Sequence, residues 1–380
     1  MPNKSIFDVA VPRRGTNSIK WDTVPDGVIP MSIADTDWAT APAVVDAIRA
    51  KLDGNPVFGY SLGDPSIADS VVAWYSRKYG FTVEKDWIVV IPGIVPALAE
   101  LANVAEGDVL AQTPNYAMLL SAPARVGKTL RRVPLIETVT DGILSYETDF
   151  DALEKQADGA GLFYLCNPHN PIGKVYSREE LAQLARFAKS HNLVVVSDEI
   201  HGELVYGKAH TPYIAADGGL ENSILLTAAG KICNMPGLHG AVAVVPDEKL
   251  REKVKAIYPR AGLGALDATG FAAAYSPEAD AWKDALTEYL AENRDYLETE
   301  LKRRLPKLRF PHNDGTYLLW LDFTAYGIEN PQKFLLEKAR VALTDGVGFG
   351  GTQYHARLNF GCPRSTLTEA LGRVESALNT

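Results

Sequence analysis

Residues 161–173 have the sequence GLFYLCNPHNPIG, an apolar run that ends abruptly in polar and turn-forming residues. The apolar part predicts a strand that is covered on both faces, because no polar residues alternate with the apolar ones. The pattern recurs in LVVVSDEIH at 193–201 and in SILLTAAGK at 223–231. Because helical patterns separate such runs, we predict a parallel α/β sheet with polar residues at the carboxyl ends of its strands.

Flanking segments extend this pattern. Apolar runs predict strands at 87–91 and 241–245, and one-sided apolar spacing predicts a helix at 43–52. Ser177 and Glu180 have the spacing of a capping box, which predicts that a helix begins there. These elements together predict a large α/β domain.

The C-terminal part has a different pattern. Its predicted elements are a long helix at 278–304, strands at 316–323 and 356–360, a helix at 331–340 and another after Ser365. This pattern indicates a smaller α+β unit. We therefore predict a large domain at 45–265 and a small domain formed by 1–44 and 266–380.

Composition narrows the function classes. The chain has 380 residues, 46% of them hydrophobic, and a net charge of −9, which argues against nucleic acids and anionic membranes as partners. Its cysteines, Cys166, Cys233 and Cys362, are far apart, so we expect a reducing compartment, no disulfide framework and no metal site. The N-terminus lacks a secretory apolar core, and the apolar stretch 88–105 is interrupted by prolines and polar residues. We therefore expect a cytoplasmic protein that does not span a membrane.

Each polar strand end has a plain structural interpretation when it is taken alone. Asn-Pro and Pro-x-Gly form turns, an Asp after a strand caps a helix, and a loop Lys is usually solvated. The segment 92–95 follows the predicted strand at 87–91 and begins a helical pattern whose N–H groups could hold a phosphate. A nucleotide-binding P-loop at Gly127-Lys128-Thr129 is excluded, because position 122 is Ala instead of the leading Gly.

The combination of motifs is more specific. N-P-H-N-P-x-G, S-D-E-I-H and G-K, each after a predicted strand and in this order, resemble the fold type I enzymes that use pyridoxal phosphate (PLP), the class I and II aminotransferase superfamily. Four further stretches are similar to the MalY/PatB group of cystathionine β-lyase-like C–S lyases: RRGTNSIKWD (13–22), MSIADTDW (31–38), FGY (58–60) and RLNFGCPR (357–364). The resemblance runs from about Arg13 to the C-terminus. It implies an aspartate aminotransferase-like large domain with a mostly parallel, seven-stranded type of sheet, a smaller α+β domain, and a homodimer.

The resemblance also implies a role for each matching residue. Lys231 would hold PLP as a Schiff base and act as general base, and Asp198 would keep the pyridine nitrogen protonated. The other implied cofactor-binding residues are Asn170 and His201 at the ring oxygen, Tyr116 stacked on the ring, Gly93, Ile94, Val95 and Thr227 at the phosphate, and Tyr60 reaching over from the neighbouring subunit. The implied substrate-binding residues are Arg357, which would bind the α-carboxylate, together with Asp35 and Tyr317.

Alternatives remain for the less specific positions. Tyr116, Tyr60 and Tyr317 are also compatible with simple packing, and His201 with a structural histidine. Three departures from the family pattern affect cofactor and substrate contacts. Gly230 replaces the Ser that commonly precedes the lysine, His239 stands where many aminotransferases have a phosphate-binding Arg, and ADMDF is replaced by ADTDW at 34–38.

The function implied by the resemblance is that of a PLP-dependent carbon–sulfur β-lyase. Its substrate would be L-cystathionine or a related cysteine S-conjugate, which is converted to a thiol, pyruvate and ammonia. An aminotransferase shares every cofactor residue and is the first alternative. A PLP-binding regulatory protein with weak lyase activity is the second.

Overall fold

A computed structural model describes residues 4–54, 56–59, 61, 63–259 and 262–379 of the chain. The α-helices of these residues are α1 (Ile19–Asp22), α2 (Pro42–Asp53), α3 (Pro65–Tyr79), α4 (Ile94–Glu100), α5 (Ala117–Ser121), α6 (Phe150–Ala157), α7 (Arg178–Ser190), α8 (Glu248–Ile257), α9 (Ala265–Ala274), α10 (Pro277–Arg304), α11 (Pro331–Lys338) and α12 (Arg364–Leu378). The β-strands are β1 (Ile29–Pro30), β2 (Ile88–Ile91), β3 (Asp108–Thr113), β4 (Leu130–Pro134), β5 (Ile136–Thr140), β6 (Ile143–Glu147), β7 (Ala160–Cys166), β8 (Val194–Asp198), β9 (Ser223–Thr227), β10 (Ala241–Val244), β11 (Phe310–Pro311), β12 (Leu318–Asp322), β13 (Val341–Ala342), β14 (Thr344–Asp345) and β15 (His355–Asn359).

A seven-stranded sheet forms the centre of the molecule. Its strand order is β2-β10-β9-β8-β7-β3-β4, and β10 runs antiparallel to both of its neighbours while the remaining pairs are parallel. Every residue of β8, β9 and β10 is buried, as expected for strands covered by helices on both faces. The predicted mostly parallel sheet is confirmed.

The strand order explains where a site can form. The chain adds β8 and β9 on one side of β7, whereas β3 and β4 lie on its other side. Ligands of open α/β sheets bind at the carboxyl ends of the strands near such a reversal of order. The residues that follow β3, β7, β8 and β9 therefore meet at one edge of the sheet.

Local sequence accounts for the helix boundaries near this sheet. The Ser177 side chain accepts the N–H of Glu180, and the Glu180 carboxylate accepts the N–H of Ser177, so the predicted capping box is present at the start of α7. Leu181 and Leu184 on the inner face of this helix are fully buried. The helix therefore covers one side of the sheet, as its apolar spacing predicts.

A second, smaller sheet lies in the C-terminal part of the chain. Strands β12, β15 and β14 pair antiparallel in that order, and the 28-residue helix α10 precedes them in the chain. Strand β1 pairs in parallel with β13, so the N-terminal segment is joined to this part. The pairing supports grouping 1–44 with the C-terminal residues, while the boundaries at 45 and 265 stay a prediction. Within the described ranges, none of the helices has the length and apolar character needed to cross a membrane.

Candidate active site

A cavity of about 540 Å³ opens at the carboxyl ends of the central strands. It collects nine of the predicted site residues: Gly93, Ile94, Val95, Tyr116, Asn170, Asp198, His201, Lys231 and Arg357. They come from segments that follow β2, β3, β7, β8 and β9, and from β15 of the small sheet. The cavity therefore lies between the central sheet and the C-terminal part.

Lys231 provides the cavity with an amine. Its Nζ donates a hydrogen bond to the carbonyl oxygen of Ala34 at 2.7 Å. Burial and the nearby Arg357 cation lower the pKa of Lys231 to about 8, although Asp35 and Asp198 oppose this shift. The lowered pKa increases the fraction of Lys231 that is neutral near physiological pH, which favours its action as a nucleophile or a general base.

Asp198 is the last residue of β8 and is 2% exposed. Its Oδ1 accepts the N–H of Ile200 at 3.2 Å. Burial raises the pKa of Asp198 to about 6, because a carboxylate with so few donors is poorly compensated for the loss of water. A cationic N–H donor placed in the cavity would supply this missing compensation.

Arg357 lies on β15 and is 4% exposed. Its Nη1 donates to Oδ1 of Asn170 at 3.1 Å, and its Nη2 donates to the carbonyl of Ser32 at 3.0 Å. The guanidinium carbon lies 4.7 Å from the ring centroid of Phe349, and Nε has no partner among the described residues. Burial lowers the pKa of Arg357 to about 10, so the group stays cationic at neutral pH and can bind a carboxylate.

Two aromatic side chains of the predicted cofactor set, His201 and Tyr116, line the cavity. His201 is buried, and its Nδ1 has no partner among the described residues. Burial, together with the Lys231 and Arg357 cations, holds the pKa of His201 well below its ordinary value, so the ring is neutral. Burial likewise raises the pKa of Tyr116 to about 12. Neither ring carries a charge that would compete with those of the cavity.

The segment 32–37 runs along the cavity and is held by charged and polar contacts. Asp35 Oδ2 accepts from Arg13 Nη2 at 2.7 Å, and Tyr317 donates its hydroxyl to the Ala34 carbonyl at 3.0 Å. The buried pair of Lys20 and Asp37, 2.9 Å apart, fixes the end of the segment. Asp35 and Tyr317, which were predicted at the substrate, are not among the residues that line the cavity, and Tyr317 contacts the backbone that accepts from Lys231. Their role at the substrate stays a prediction.

Two other predicted cofactor residues are not part of this cavity as described. Thr227 lines a separate small cavity behind the site, and its Oγ1 lies 3.3 Å from the hydroxyl of Tyr275. Thr227 is the last residue of β9, and its predicted contact with the phosphate stays a prediction. Tyr60 lies outside the described residues.

The segment 93–95 forms another wall of the cavity. Gly93 precedes α4, which begins at Ile94. The first N–H groups of a helix have no acceptor within the helix, and they carry the positive end of its dipole. Gly93, Ile94 and Val95 thus present backbone donors that suit a phosphate.

Ala34 and Phe349 are site residues that the sequence interpretation missed. The carbonyl of Ala34 accepts from both Lys231 and Tyr317, whereas the ring of Phe349 lies against Arg357. A backbone acceptor leaves no residue-type signal in a sequence. Phe349 lies in a glycine-rich turn, at 348–351, that has no strand or helix periodicity. No pattern in the sequence would have selected either residue.

A buried polar cluster adjoins the cavity on the far side of Asp198. Glu199 accepts hydrogen bonds from the Ser197 hydroxyl at 2.9 Å, from Nε2 of His210 at 2.8 Å and from the backbone N–H of Tyr213 at 2.8 Å. These contacts tie the end of β8 to the loop that follows it. Glu199 thus has a structural role.

A larger and more open cavity of about 930 Å³ lies beside β6 and α7. Four of its charged side chains form two ion pairs, Lys174 with Glu180 at 2.6 Å and Lys208 with Asp314 at 2.7 Å. Because these charged groups already have partners, they are less available to bind a reactive ligand than the charged groups of the smaller cavity.

The smaller cavity fits PLP on the chemistry of its donors. It provides an amine for an aldehyde, a poorly compensated carboxylate for a pyridinium N–H and backbone donors for a phosphate. Asn170 Oδ1 is occupied by Arg357, and Nδ2 of the same amide has no acceptor among the described residues, so Nδ2 can donate to a ring oxygen. The residues present therefore match the group.

Known proteins match this chain over nearly its whole length. A family model described as aminotransferase class I and II matches residues 26–374. The protein named cystathionine beta-lyase PatB from Bacillus subtilis is 37% identical, with 98% of this chain and 100% of that protein covered. Protein MalY from Escherichia coli is 32% identical, with 98% of each chain covered. The structure of a PLP-bound C-S lyase from Staphylococcus hominis matches with a TM-score of 0.91 and 29% identity, covering 98% of both chains.

Proposed function

The chain belongs to the class I and II aminotransferase family, and on this premise we propose that it is a PLP-dependent carbon–sulfur β-lyase of L-cystathionine or related cysteine S-conjugates. The products would be a thiol, pyruvate and ammonia. One observation carries the proposal: a single buried cavity holds the Lys231 amine, the Asp198 carboxylate and the fixed guanidinium of Arg357. The cystathionine β-lyases and C–S lyases among the similar proteins support the lyase over the aminotransferase.

PLP, when bound, supplies an aldehyde that joins the substrate amine and a ring that accepts negative charge from Cα. Asp198 would accept the ring N–H and keep that nitrogen protonated, since a neighbouring carboxylate favours the cationic form of the ring nitrogen. Asn170, whose amide oxygen accepts from Arg357, would donate from Nδ2 to the ring oxygen. Gly93, Ile94 and Val95 would hold the phosphate with their backbone N–H groups, and His239 adds a polar ring to the cavity wall.

Arg357 binds the α-carboxylate of the substrate and thereby orients the Cα–H bond towards Lys231. The neutral Nζ of Lys231 removes the Cα proton, which is consistent with a pKa of about 8. The carbonyl of Ala34 then stabilises the resulting ammonium, because it already accepts from this Nζ at 2.7 Å. Loss of the sulfur substituent from Cβ follows as departure of a thiolate.

We also propose that the protein acts as a homodimer in the cytoplasm. Family members build their site from two subunits, and the segment that contains Tyr60, predicted to reach the neighbouring site, includes exposed apolar side chains at Val57 and Phe58. The three cysteines are unpaired and buried, which supports a reducing compartment.

The decisive experiment is turnover of L-cystathionine by the purified PLP-loaded protein without any keto acid. The expected result is stoichiometric release of pyruvate, ammonia and homocysteine. A Lys231→Ala variant serves as the control, and it should release no pyruvate. Turnover that requires a keto-acid acceptor would instead establish the aminotransferase. A Lys231→Ala variant that is as effective as the wild type in a regulatory assay would favour the regulatory alternative.

A further inference from the structure

The segment 32–36 beside the cavity contains no helix or strand, yet each of its successive backbone carbonyls accepts a hydrogen bond from a side chain. Buried backbone groups are more often paired with other backbone groups. Tertiary contacts, instead of secondary structure, therefore determine the conformation of this segment. The donors are Arg357 and Thr344 at Ser32, Asn359 at Ile33, Lys231 and Tyr317 at Ala34, Asn359 and Lys20 at Asp35, and Arg13 and Asn234 at Thr36.

Asn359, the last residue of β15, is buried and contacts this segment twice. Its Nδ2 donates to the carbonyls of Ile33 and Asp35, the second at 2.7 Å. Its Oδ1 accepts the N–H of Gly361 at 2.7 Å, which fixes the orientation of the amide. The peptide groups on both sides of the Ala34 carbonyl are therefore held by one side chain.

The carbonyl between these two peptide groups is the one that contacts Lys231. The Ile33 carbonyl also accepts the N–H of Asp35 at 2.9 Å, which closes a three-residue turn centred on Ala34. With Asn359 bonded to both ends of this turn, the Ala34 carbonyl is directed at Nζ of Lys231, from which it accepts at 2.7 Å. A carbonyl fixed in this way favours the ammonium form of the lysine, because it accepts a hydrogen bond from the charged group.

We propose that Asn359 is a positioning residue for the base of the reaction. It holds the Ala34 carbonyl at the Lys231 amine, so that the ammonium formed when Lys231 takes up the Cα proton has an acceptor in place. The inference rests on the proposed function, because it names the residue that supports the general base of that function. It also gives a role to Asn359 in the RLNFGCPR motif, where the resemblance assigns only Arg357.

The test replaces Asn359 with Leu, which has a similar shape and no hydrogen-bonding groups. A second variant, Asn359→Ala, removes the same donors without a branched side chain. The matched control is Asn293→Leu. Asn293 is buried in α10, and its Nδ2 donates to the carbonyls of Phe360 and Cys362, so the control removes the same kind of contact from a different segment.

The first measurement is the pH dependence of the rate at which PLP binds to the apo proteins. In both Asn359 variants the midpoint should move to lower pH by about half a unit to one unit, because the Lys231 ammonium loses a fixed acceptor. Asn293→Leu should keep the wild-type midpoint. The charged groups that also act on Lys231 are present in every variant, namely Arg357, Asp35 and Asp198.

The second measurement is steady-state pyruvate release from L-cystathionine by the PLP-loaded proteins. Asn359→Leu should lower kcat roughly tenfold and change KM by less than about twofold, because Arg357 still binds the α-carboxylate. Asn293→Leu should retain both constants even where it lowers the stability of the protein as much. A general loss of folded protein would reduce activity in both variants and leave the midpoint unchanged.

A wild-type midpoint in Asn359→Leu, or equal shifts in Asn359→Leu and Asn293→Leu, would overturn the inference. If the leucine protein does not fold, a wild-type midpoint in Asn359→Ala overturns it in the same way. The binding measurement does not depend on turnover. If the midpoint moves as expected while the wild type releases no pyruvate, the lyase function fails and the positioning of Lys231 by Asn359 stands.

Discussion

Asp198 and Glu199 are neighbours in the chain and both are buried carboxylates, yet their surroundings are opposite. Asp198 faces the cavity and accepts one backbone N–H, whereas Glu199 faces the protein interior and accepts three hydrogen bonds. Strand alternation at the end of β8 sends the two side chains to different sides. The difference shows that burial alone does not identify a functional acid. The informative feature is a buried carboxylate with too few hydrogen-bond donors, because a ligand must then supply the missing donors.

The largest expected effect comes from removing the cavity-facing carboxylate. Asp198→Asn should lower kcat/KM on L-cystathionine about a hundredfold to a thousandfold, because the ring nitrogen loses its charged partner. The apo form of the same variant should be more stable than the wild-type apo protein at pH 8 by about 1–3 kcal/mol, as the uncompensated charge is gone. Steady-state pyruvate release and denaturant unfolding of the apo proteins measure the two effects.

The stability gain has a defined pH dependence. Burial raises the pKa of Asp198 to about 6 from an ordinary value of 3.8. Between these two values the folded protein retains a proton that the unfolded chain has released, so the wild type loses stability as the pH rises. The advantage of Asp198→Asn should therefore be small at pH 4 and complete above pH 7. An advantage of the same size at every pH would contradict the burial of an ionised carboxylate as its cause.

Replacement of Glu199, the carboxylate that faces the protein interior, should change the stability in the opposite direction. Glu199→Gln should destabilise the protein by about 2–4 kcal/mol, because Ser197, His210 and Tyr213 lose a charged acceptor. The folded fraction should retain kcat/KM within about tenfold of the wild type. Unfolding curves and activity per mole of bound PLP separate these results. A loss of activity as large as that of Asp198→Asn, without loss of stability, would mean that the two carboxylates do not divide the roles in this way.

The smallest expected effect concerns Asp35, a third buried carboxylate, which is paired with Arg13 and whose charge acts on the pKa of Lys231. The second-order rate of PLP binding to the apo protein should rise with pH around a midpoint near 8, because only the neutral Lys231 attacks the aldehyde. Asp35 raises the pKa of Lys231, so Asp35→Asn should move this midpoint to lower pH by a fraction of a unit. Asp46→Asn on the surface of α2 is the matched control. A midpoint that moves upwards in Asp35→Asn would contradict the assigned electrostatic effect.

Local patterns in the sequence were sufficient for much of the fold. The predicted strand at 223–227 has the observed bounds, and the predicted helix at 278–304 differs from α10 by one residue. Apolar runs and caps specify such elements directly, because the relevant contacts lie within a few residues or on one face. The same apolar runs predicted that Asn170, Asp198 and Lys231 lie at one edge of the sheet. Strands β3 to β6 were not predicted.

The contacts that the sequence could not supply are those that depend on tertiary geometry. Thr227 precedes Lys231 by four residues, but the direction of its side chain depends on the register of β9 in the sheet. Asp35 was predicted at the substrate, and its pairing with Arg13 depends on how the N-terminal segment crosses the cavity. Charge and residue type limit the possible partners of a side chain, but packing selects among them.

The bond between the Ser32 carbonyl and the Thr344 hydroxyl joins residues 312 positions apart. The pairing of β1 with β13 lies beside it. During synthesis, the segment that contains Ala34, whose carbonyl accepts from Lys231, therefore leaves the ribosome early. Strand β14, whose Thr344 holds this segment, leaves near the end. The nascent chain cannot close its active site until translation is almost complete, so an incomplete polypeptide would have no finished pocket in which to cleave an amino acid.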